Sequence, residues 1–258
     1  MDELGVELDR ERAVLTLNRP ARKNALTQAM WAGLPDVLAG LAREPRAKVL
    51  VIRGAGGMFA AGADILEFET AYATPDSARA YFRQVAEAMD ALARFEKPTL
   101  ALIEGDCIGG GLGLALCCDL RFASGTARLA LTPARLGLAY SLEDTRRLVQ
   151  AVGPSMAKDI LFTGRRIGAE EGLRIGLVDA LLPAAEIEGA VFARADEIAA
   201  ASQWSVRRAK AMIARIQAGQ VSDTEETRGW LVEATEGEDF QEGFSAFRAK
   251  RTPVFPFR

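Results

Sequence analysis

The chain has 258 residues, 49% of them hydrophobic and 26% charged, which suits one large packed core or one core with a smaller appendage and excludes a disordered chain. A net charge of −3 argues against broad nucleic-acid binding, so no nucleic-acid partner is expected. Histidine is absent, which removes Ser-His and Cys-His dyads, histidine zinc motifs and any imidazole base.

The first nine residues, MDELGVELD, are acidic and lack an apolar core, so neither a signal nor a transit peptide is expected there. Arg12 to Asn18 is rich in β-formers and stops before Pro20, predicting a strand and a turn. Leu26 to Ala42 has helical periodicity, with Thr27 placed to cap it. Lys48 to Arg53 is a short apolar run of the kind found in sheets covered on both faces. A glycine-rich loop follows from Gly54 to Gly62, then an amphipathic helix from Asp76 to Arg94. Pro98 opens a buried strand, Thr99 to Ile103. The triplet Gly109-Gly110-Gly111 then starts a helix running to about Cys118. Leu120 to Ala123 and Ala127 to Leu131 read as strands.

Beyond Glu143 the pattern turns mainly helical. Helices are predicted over Leu142–Val152, Pro154–Phe162, Ala169–Ile175, Glu186–Ala201, Val206–Gln217, Asp223–Ala234 and Asp239–Lys250, with one strand at Val178–Leu182. The expected organisation is a core over 1–195 and a helical region over 196–258 that packs against neighbouring subunits. No membrane span is expected, because the most apolar stretch, Thr99 to Leu116, is broken by Glu104 and Asp106. The three cysteines, Cys107, Cys117 and Cys118, lack metal-binding spacing. They suit reduced, buried thiols, a cytoplasmic setting and no metal.

Two loops pose the chemical question: Met58-Phe-Ala-Ala-Gly-Ala-Asp-Ile65 and the triplet at 109–111. Each follows a strand and leads towards a helix, where backbone N–H groups point outward beside the positive end of the helix dipole. Two such junctions face to face would form a pair of donors for a developing oxyanion. The alternative is that the glycines only permit tight helix–sheet packing. Neither GxGxxG nor GxxxxGK[ST] is present, so a nucleotide phosphate cradle has little support.

The order of motifs resembles the crotonase (enoyl-CoA hydratase/isomerase) superfamily over nearly the whole chain. The matching pieces include Leu17-Asn-Arg-Pro-Ala-Arg-Lys-Asn-Ala-Leu26, Phe59-Ala-Ala-Gly-Ala-Asp-Ile65, Ile108-Gly-Gly-Gly111 with Cys118-Asp119, Arg147-Leu148, Leu161-Phe-Thr-Gly164, Gly176-Leu-Val178 and Glu242-Gly-Phe-Ser-Ala-Phe247. The resemblance implies an α/β spiral of ββα units with a helical C-terminal region. It also implies an acyl-CoA thioester ligand and a homotrimer or dimer of trimers. No cofactor is implied other than the coenzyme A of the substrate. The oxyanion donors would be the N–H groups of Ala63 and Gly110, with Ala61, Asp64 and Ile65 beside the substrate. Arg22 and Lys23 match a segment that approaches the CoA phosphates or ribose, or else form an ordinary solvated basic turn. Lys250 and Arg251 match a C-terminal region that can reach CoA.

The chain departs from the family at its acid–base groups. Hydratases of the family use two glutamates, one to take a proton from water and one to deliver a proton to carbon. Their places here are Gly113 and Pro133, the latter with Ala134 beside it. Some isomerases place a single carboxylate in the following loop, here Leu138-Ala-Tyr-Ser-Leu-Glu-Asp144. Its usual position aligns with Ser141, so Glu143 and Asp144 are the nearest candidates. Glu143 is taken as the general base, against the alternative that it only begins a helix. Tyr140 either orients the acyl group or lines the pocket. The expected function is an enoyl-CoA isomerase or hydratase-like enzyme working through a thioester enolate. The alternative is a silent or divergent acyl-CoA-binding homologue.

Overall fold

The structure, a computed structural model, describes residues 3–256. The chain begins as a hairpin of β1 (Leu4–Asp9) and β2 (Arg12–Leu17). α1 (Gln28–Arg43) follows, with Thr27 Oγ1 accepting the Met30 N–H at 3.2 Å. Next come β3 (Val49–Gly54), the short α2 (Phe68–Ala71) and α3 (Pro75–Ala93). β4 (Thr99–Ile103), β5 (Asp106–Ile108) and α4 (Gly110–Leu116) form the next turn. β6 (Leu120–Ser124), β7 (Arg128–Ala130), α5 (Pro133–Leu136) and α6 (Leu142–Thr163) form another. β8 (Ile167–Gly168), α7 (Ala169–Arg174), β9 (Ala180–Leu182) and α8 (Ile187–Ala200) complete the core. The chain ends in α9 (Gln203–Gln217), α10 (Glu225–Glu236) and α11 (Glu238–Ala249).

The strands fall into two sheets, ordered β1-β2-β3-β4-β6-β9 and β5-β7-β8. The large sheet is parallel apart from the β1–β2 pair. β4, β5 and α4 make one ββα unit, with one strand in each sheet. β6 and β7, followed by helix, make the next, and the winding is the expected spiral.

The period of two along the strands decides which layer each residue joins. In β3, Leu50 and Ile52 face the main core with Leu15, Trp31 and Leu34. Val49 and Val51 face the opposite side, where they meet Ile187, Val191, Ala195 and Ala199 of α8. Those four positions recur every four residues, which puts them on one helical face. Fully burying Ile187 or Val191 contributes about 1.5–3 kcal/mol each.

Several local readings change: α2, β5 and α5 answer to no element read from the sequence, and β8 adds a second strand where only Val178–Leu182 was expected. The acidic N-terminal stretch contains a strand, β1, that its charges obscured. As an edge strand with exposed Glu7 it needs little apolar surface, and its register comes from β2. The two helices expected over Leu142–Val152 and Pro154–Phe162 form one kinked element, α6, bent where Gly153 takes φ 76° ahead of Pro154.

Candidate active site

The two glycine loops lie where the spiral passes from one sheet to the other. The first is pinned on both sides of Ala63. Ala60 N–H donates to Asp106 O at 3.0 Å, and Ile108 N–H donates to Ala60 O at 2.9 Å. Leu26 N–H donates to Gly62 O at 2.8 Å, and Asp64 N–H donates to Leu26 O at 2.9 Å. Gly62 has φ 103°, a conformation that side-chain-bearing residues rarely adopt. The second loop turns at Gly109, φ 54°, whose N–H donates to Ala130 O at 2.8 Å, and α4 begins at Gly110.

The loops face each other closely. A methyl group built on Gly110 would stand 3.6 Å from Ala63 N, and one on Gly62 would stand 3.7 Å from Gly110 N. Among the described residues neither N–H donates to a backbone carbonyl. The bridge at Ala63 uses its neighbours' groups. Gly110, as the first residue of a helix, has no preceding turn to donate to. Two main-chain donors are thus left side by side, which is what binding an oxyanion requires.

Both loops border a cavity of about 390 Å³. Its walls are Trp31 of α1, Phe68 and Tyr72 around α2, and Tyr81, Val85 and Met89 along one face of α3. Gly113, Pro133, Tyr140, Asp144 and Arg147 close it. Rings pack against rings: the centroids of Phe68 and Tyr72 are 4.7 Å apart, and Tyr72 and Tyr81 meet edge-on at 5.6 Å. Burial pushes the Tyr72, Tyr81 and Tyr140 hydroxyls to higher pKa, so all three stay neutral at physiological pH. Gly113 does line the cavity, and the space beside it is taken: a methyl group there would meet Met89 Cε at 2.9 Å.

Of the residues expected at the site, Ala61, Ala63, Ile65, Gly110 and Tyr140 line the cavity. Asp64 does not. It is nearly buried, with one oxygen on the Arg19 guanidinium at 2.9 Å and the other accepting the Leu66 N–H at 3.2 Å. Its carboxylate braces the first loop. Glu143 is also outside the cavity lining. It lies half exposed at the start of α6, bound to Arg146 at 2.6 Å, and that partner holds its carboxyl below the usual range. The carboxylate that lines the cavity is its neighbour Asp144. Ser141, the N-cap of α6, accepts the Asp144 N–H at 3.1 Å, and its hydroxyl donates back to Asp144 Oδ2 at 2.6 Å. Arg147 donates to Asp144 Oδ1 at 3.1 Å and to Asp90 at 2.7 Å.

Arg22 and Lys23 are exposed, and the Lys23 carbonyl accepts the Ala61 N–H at 2.9 Å, tying this basic turn to the first loop. Lys250 and Arg251 sit at the end of α11, apart from the residues lining the cavity. Arg251 is paired with Glu242 at 2.5 Å, which holds that carboxyl down to about 2. Sequence reasoning missed Trp31, Tyr72 and Tyr81. The usable signal was the spacing of Tyr81, Val85 and Met89, four residues apart on one face of α3.

Among the described residues no cluster of three or more Cys, Asp or Glu is arranged to hold a metal ion, and no helix is long and apolar enough to cross a membrane. The sequence pattern of the enoyl-CoA hydratase/isomerase family matches residues 9–257. The crotonyl-CoA hydratase of Syntrophomonas wolfei is 33% identical over 257 residues, covering 97% of this chain and 96% of that one. A solved enoyl-CoA hydratase/isomerase family protein from Hyphomonas neptunium superposes with a TM-score of 0.96 at 45% identity, covering 99% of this chain and 98% of that one. The enoyl-CoA hydratase of Bacillus anthracis superposes with a TM-score of 0.90 at 31% identity, covering 100% of both chains.

Proposed function

Because this chain belongs to the enoyl-CoA hydratase/isomerase family, we propose that its cavity binds an acyl-CoA thioester with the carbonyl oxygen on the N–H groups of Ala63 and Gly110. The observation that carries this reading is the pair of adjacent main-chain donors at the cavity wall, neither spent on a backbone carbonyl. Removing a proton from the carbon next to the thioester sends charge to that oxygen. One such donor contributes on the order of 10²–10³ in rate.

The reaction proposed is migration of a double bond. Asp144 takes a proton from one carbon, the dienolate rests on the two donors, and the same proton returns two carbons away. One carboxylate suffices for that transfer, whereas hydration needs a second group to hold water, and neither Gly113 nor Pro133 supplies one. Arg22 and Lys23, exposed and tied to the first loop, suit the CoA phosphates. The apolar surface left exposed by Leu231, Val232, Phe244 and Phe247 supports a homotrimer or dimer of trimers, with the region 196–258 at its interfaces.

The test is to offer 3-enoyl-CoA and trans-2-enoyl-CoA separately. Isomerisation of the first is expected, with Asp144→Asn lowering kcat on the order of 10²–10⁴-fold and Glu143→Gln changing it little. Equal losses in both variants would refute the choice of base. A second reading, an acyl-CoA-binding protein without turnover, draws support from Ser141 and Arg147 both engaging Asp144. It predicts a thermal shift with acyl-CoA and no reaction. Absence of both would defeat both readings.

A further inference from the structure

A second cavity, of about 320 Å³, lies within the chain between the end of α3 and the side of α9. It shares no lining residue with the first cavity. Arg94, Phe95 and Glu96 form one wall, just before β4 begins at Thr99. The glycine loop of residues 58–65 instead follows the end of β3, the parallel neighbour of β4. The two cavities therefore lie towards opposite ends of the large sheet.

Charge is unevenly distributed in this groove. Its lining holds four cationic side chains, Arg94, Arg207, Arg208 and Lys210, against one carboxylate, Glu96. The acids that pair with three of these cations stand outside the lining. Asp119 binds Lys210 at 2.7 Å, Glu233 meets Arg208 at 3.4 Å and Asp90 meets Arg94 at 3.6 Å. Those pairs hold the cations in place without filling the groove, and Arg208 also lies over the Trp230 ring at 4.6 Å. Positive groups fixed along a concave surface focus their field into it.

The structure behind the wall adds to this excess. Lys97, next in sequence to Glu96, is buried, and its ammonium donates to the carbonyls of Leu41 and Glu44. Burial, and after it the neighbouring Arg207 guanidinium, lowers its pKa to about 8. Burial lowers that of Arg207 as well, with Glu96 offsetting part of the effect. Two cations thus lie close together in partly dehydrated surroundings, where like charges repel more strongly than in water. An anion in the groove would relieve both. Guanidinium groups, planar and rich in N–H donors, match the oxygens of a phosphate.

We propose that the groove between α3 and α9 is a binding site for a small phosphate-bearing anion, received by Arg207, Arg208 and Lys210. The inference stands apart from the acyl-CoA reading, because it uses none of the residues assigned to the thioester or to the CoA phosphates.

Calorimetric titration of the full chain with pyrophosphate tests it, with succinate as the carboxylate counterpart. Pyrophosphate is expected to bind saturably and succinate more weakly. Arg207→Gln should weaken pyrophosphate binding by about tenfold or more, while Arg207→Lys, which keeps the charge, should retain most of it. Glu96→Gln removes the opposing carboxylate and should tighten binding roughly twofold to fivefold. Replacing Arg22 and Lys23 together by glutamine should leave the affinity unchanged. Arg94→Gln, at an exposed position, should weaken binding and serves if Arg207→Gln does not fold. Absence of pyrophosphate binding overturns the inference. So does binding that survives both Arg207→Gln and Arg94→Gln, or that is lost with Arg22 and Lys23 instead. Succinate binding as tightly as pyrophosphate overturns the choice of phosphate.

Discussion

Substituting alanine at Gly111 and at Gly113 should give opposite results, although the two lie two residues apart in α4. At Gly111 the added methyl would come within 2.8 Å of both Ala60 Cβ and Ala60 O. Ala60 is fixed by its bridge to β5, so no rotamer change relieves the contact and the loops must part. Overpacking of this kind costs about 1–3 kcal/mol. For a chain of this size, that is a fall in Tm of roughly 2–12 °C. At Gly113 the methyl would meet Met89 Cε at 2.9 Å and Sδ at 3.7 Å, the mobile end of a flexible side chain. The helix gains about 1 kcal/mol from the exchange of glycine for alanine, which offsets that adjustment. Differential scanning calorimetry should therefore find Gly113→Ala within a few degrees of wild type and Gly111→Ala well below it. Gly111→Ala should also displace the adjacent Gly110 N–H and lower kcat/KM for the proposed isomerisation on the order of a hundredfold. Equal Tm changes in the two variants would refute the geometry argued here.

Other consequences can be checked directly. Tyrosinate absorbance reads this cavity alone, and burial should move the titration above pH 10 in the folded chain. Because the folded form then holds more protons than the unfolded one, stability should fall as pH rises past 10; a normal tyrosine titration in the native protein would contradict this. The three thiols are buried and their ionisation is suppressed by burial, Cys117 to about 12, so none should react with a thiol reagent at pH 8 until the chain is unfolded, when three should react. Lys97 Nζ donates to Leu41 O and Glu44 O, at 2.8 Å each, and so ties down the end of α1. Lys97→Met should lower the unfolding free energy by about 1–3 kcal/mol in a denaturant titration, and an unchanged midpoint would show those bonds to be dispensable.

The glycine loops were legible in the sequence because main-chain sites leave a compositional trace: strand, glycine, helix. The identity of the cavity carboxylate was not. Glu143 and Asp144 are adjacent acids at a helix start, and only the helix phase set by the Ser141 cap separates them. That phase turns Asp144 towards Ser141 and Arg147 and leaves Glu143 to Arg146 in solvent. Position in the motif does not show that the Asp64 carboxylate braces its own loop from outside the cavity lining. The role of Asp64 depends on Arg19, 45 residues away in sequence. Tyr72 and Tyr81 meet across the junction of α2 and α3, and Tyr140 joins the same cavity from a later turn of the spiral.

Leu26, Gly62 and Asp64 hold Ala63 through backbone bonds, and Ala130 holds Gly109 in the same way. An anion cradle assembled from peptide groups is largely indifferent to which side chains surround it. Mutation can exchange the neighbouring acids and bases while a site made of main-chain groups is kept with the backbone path. A scaffold of this kind can drift between reactions that share one charged intermediate, because loss of one chemistry does not dismantle the place where the next can begin.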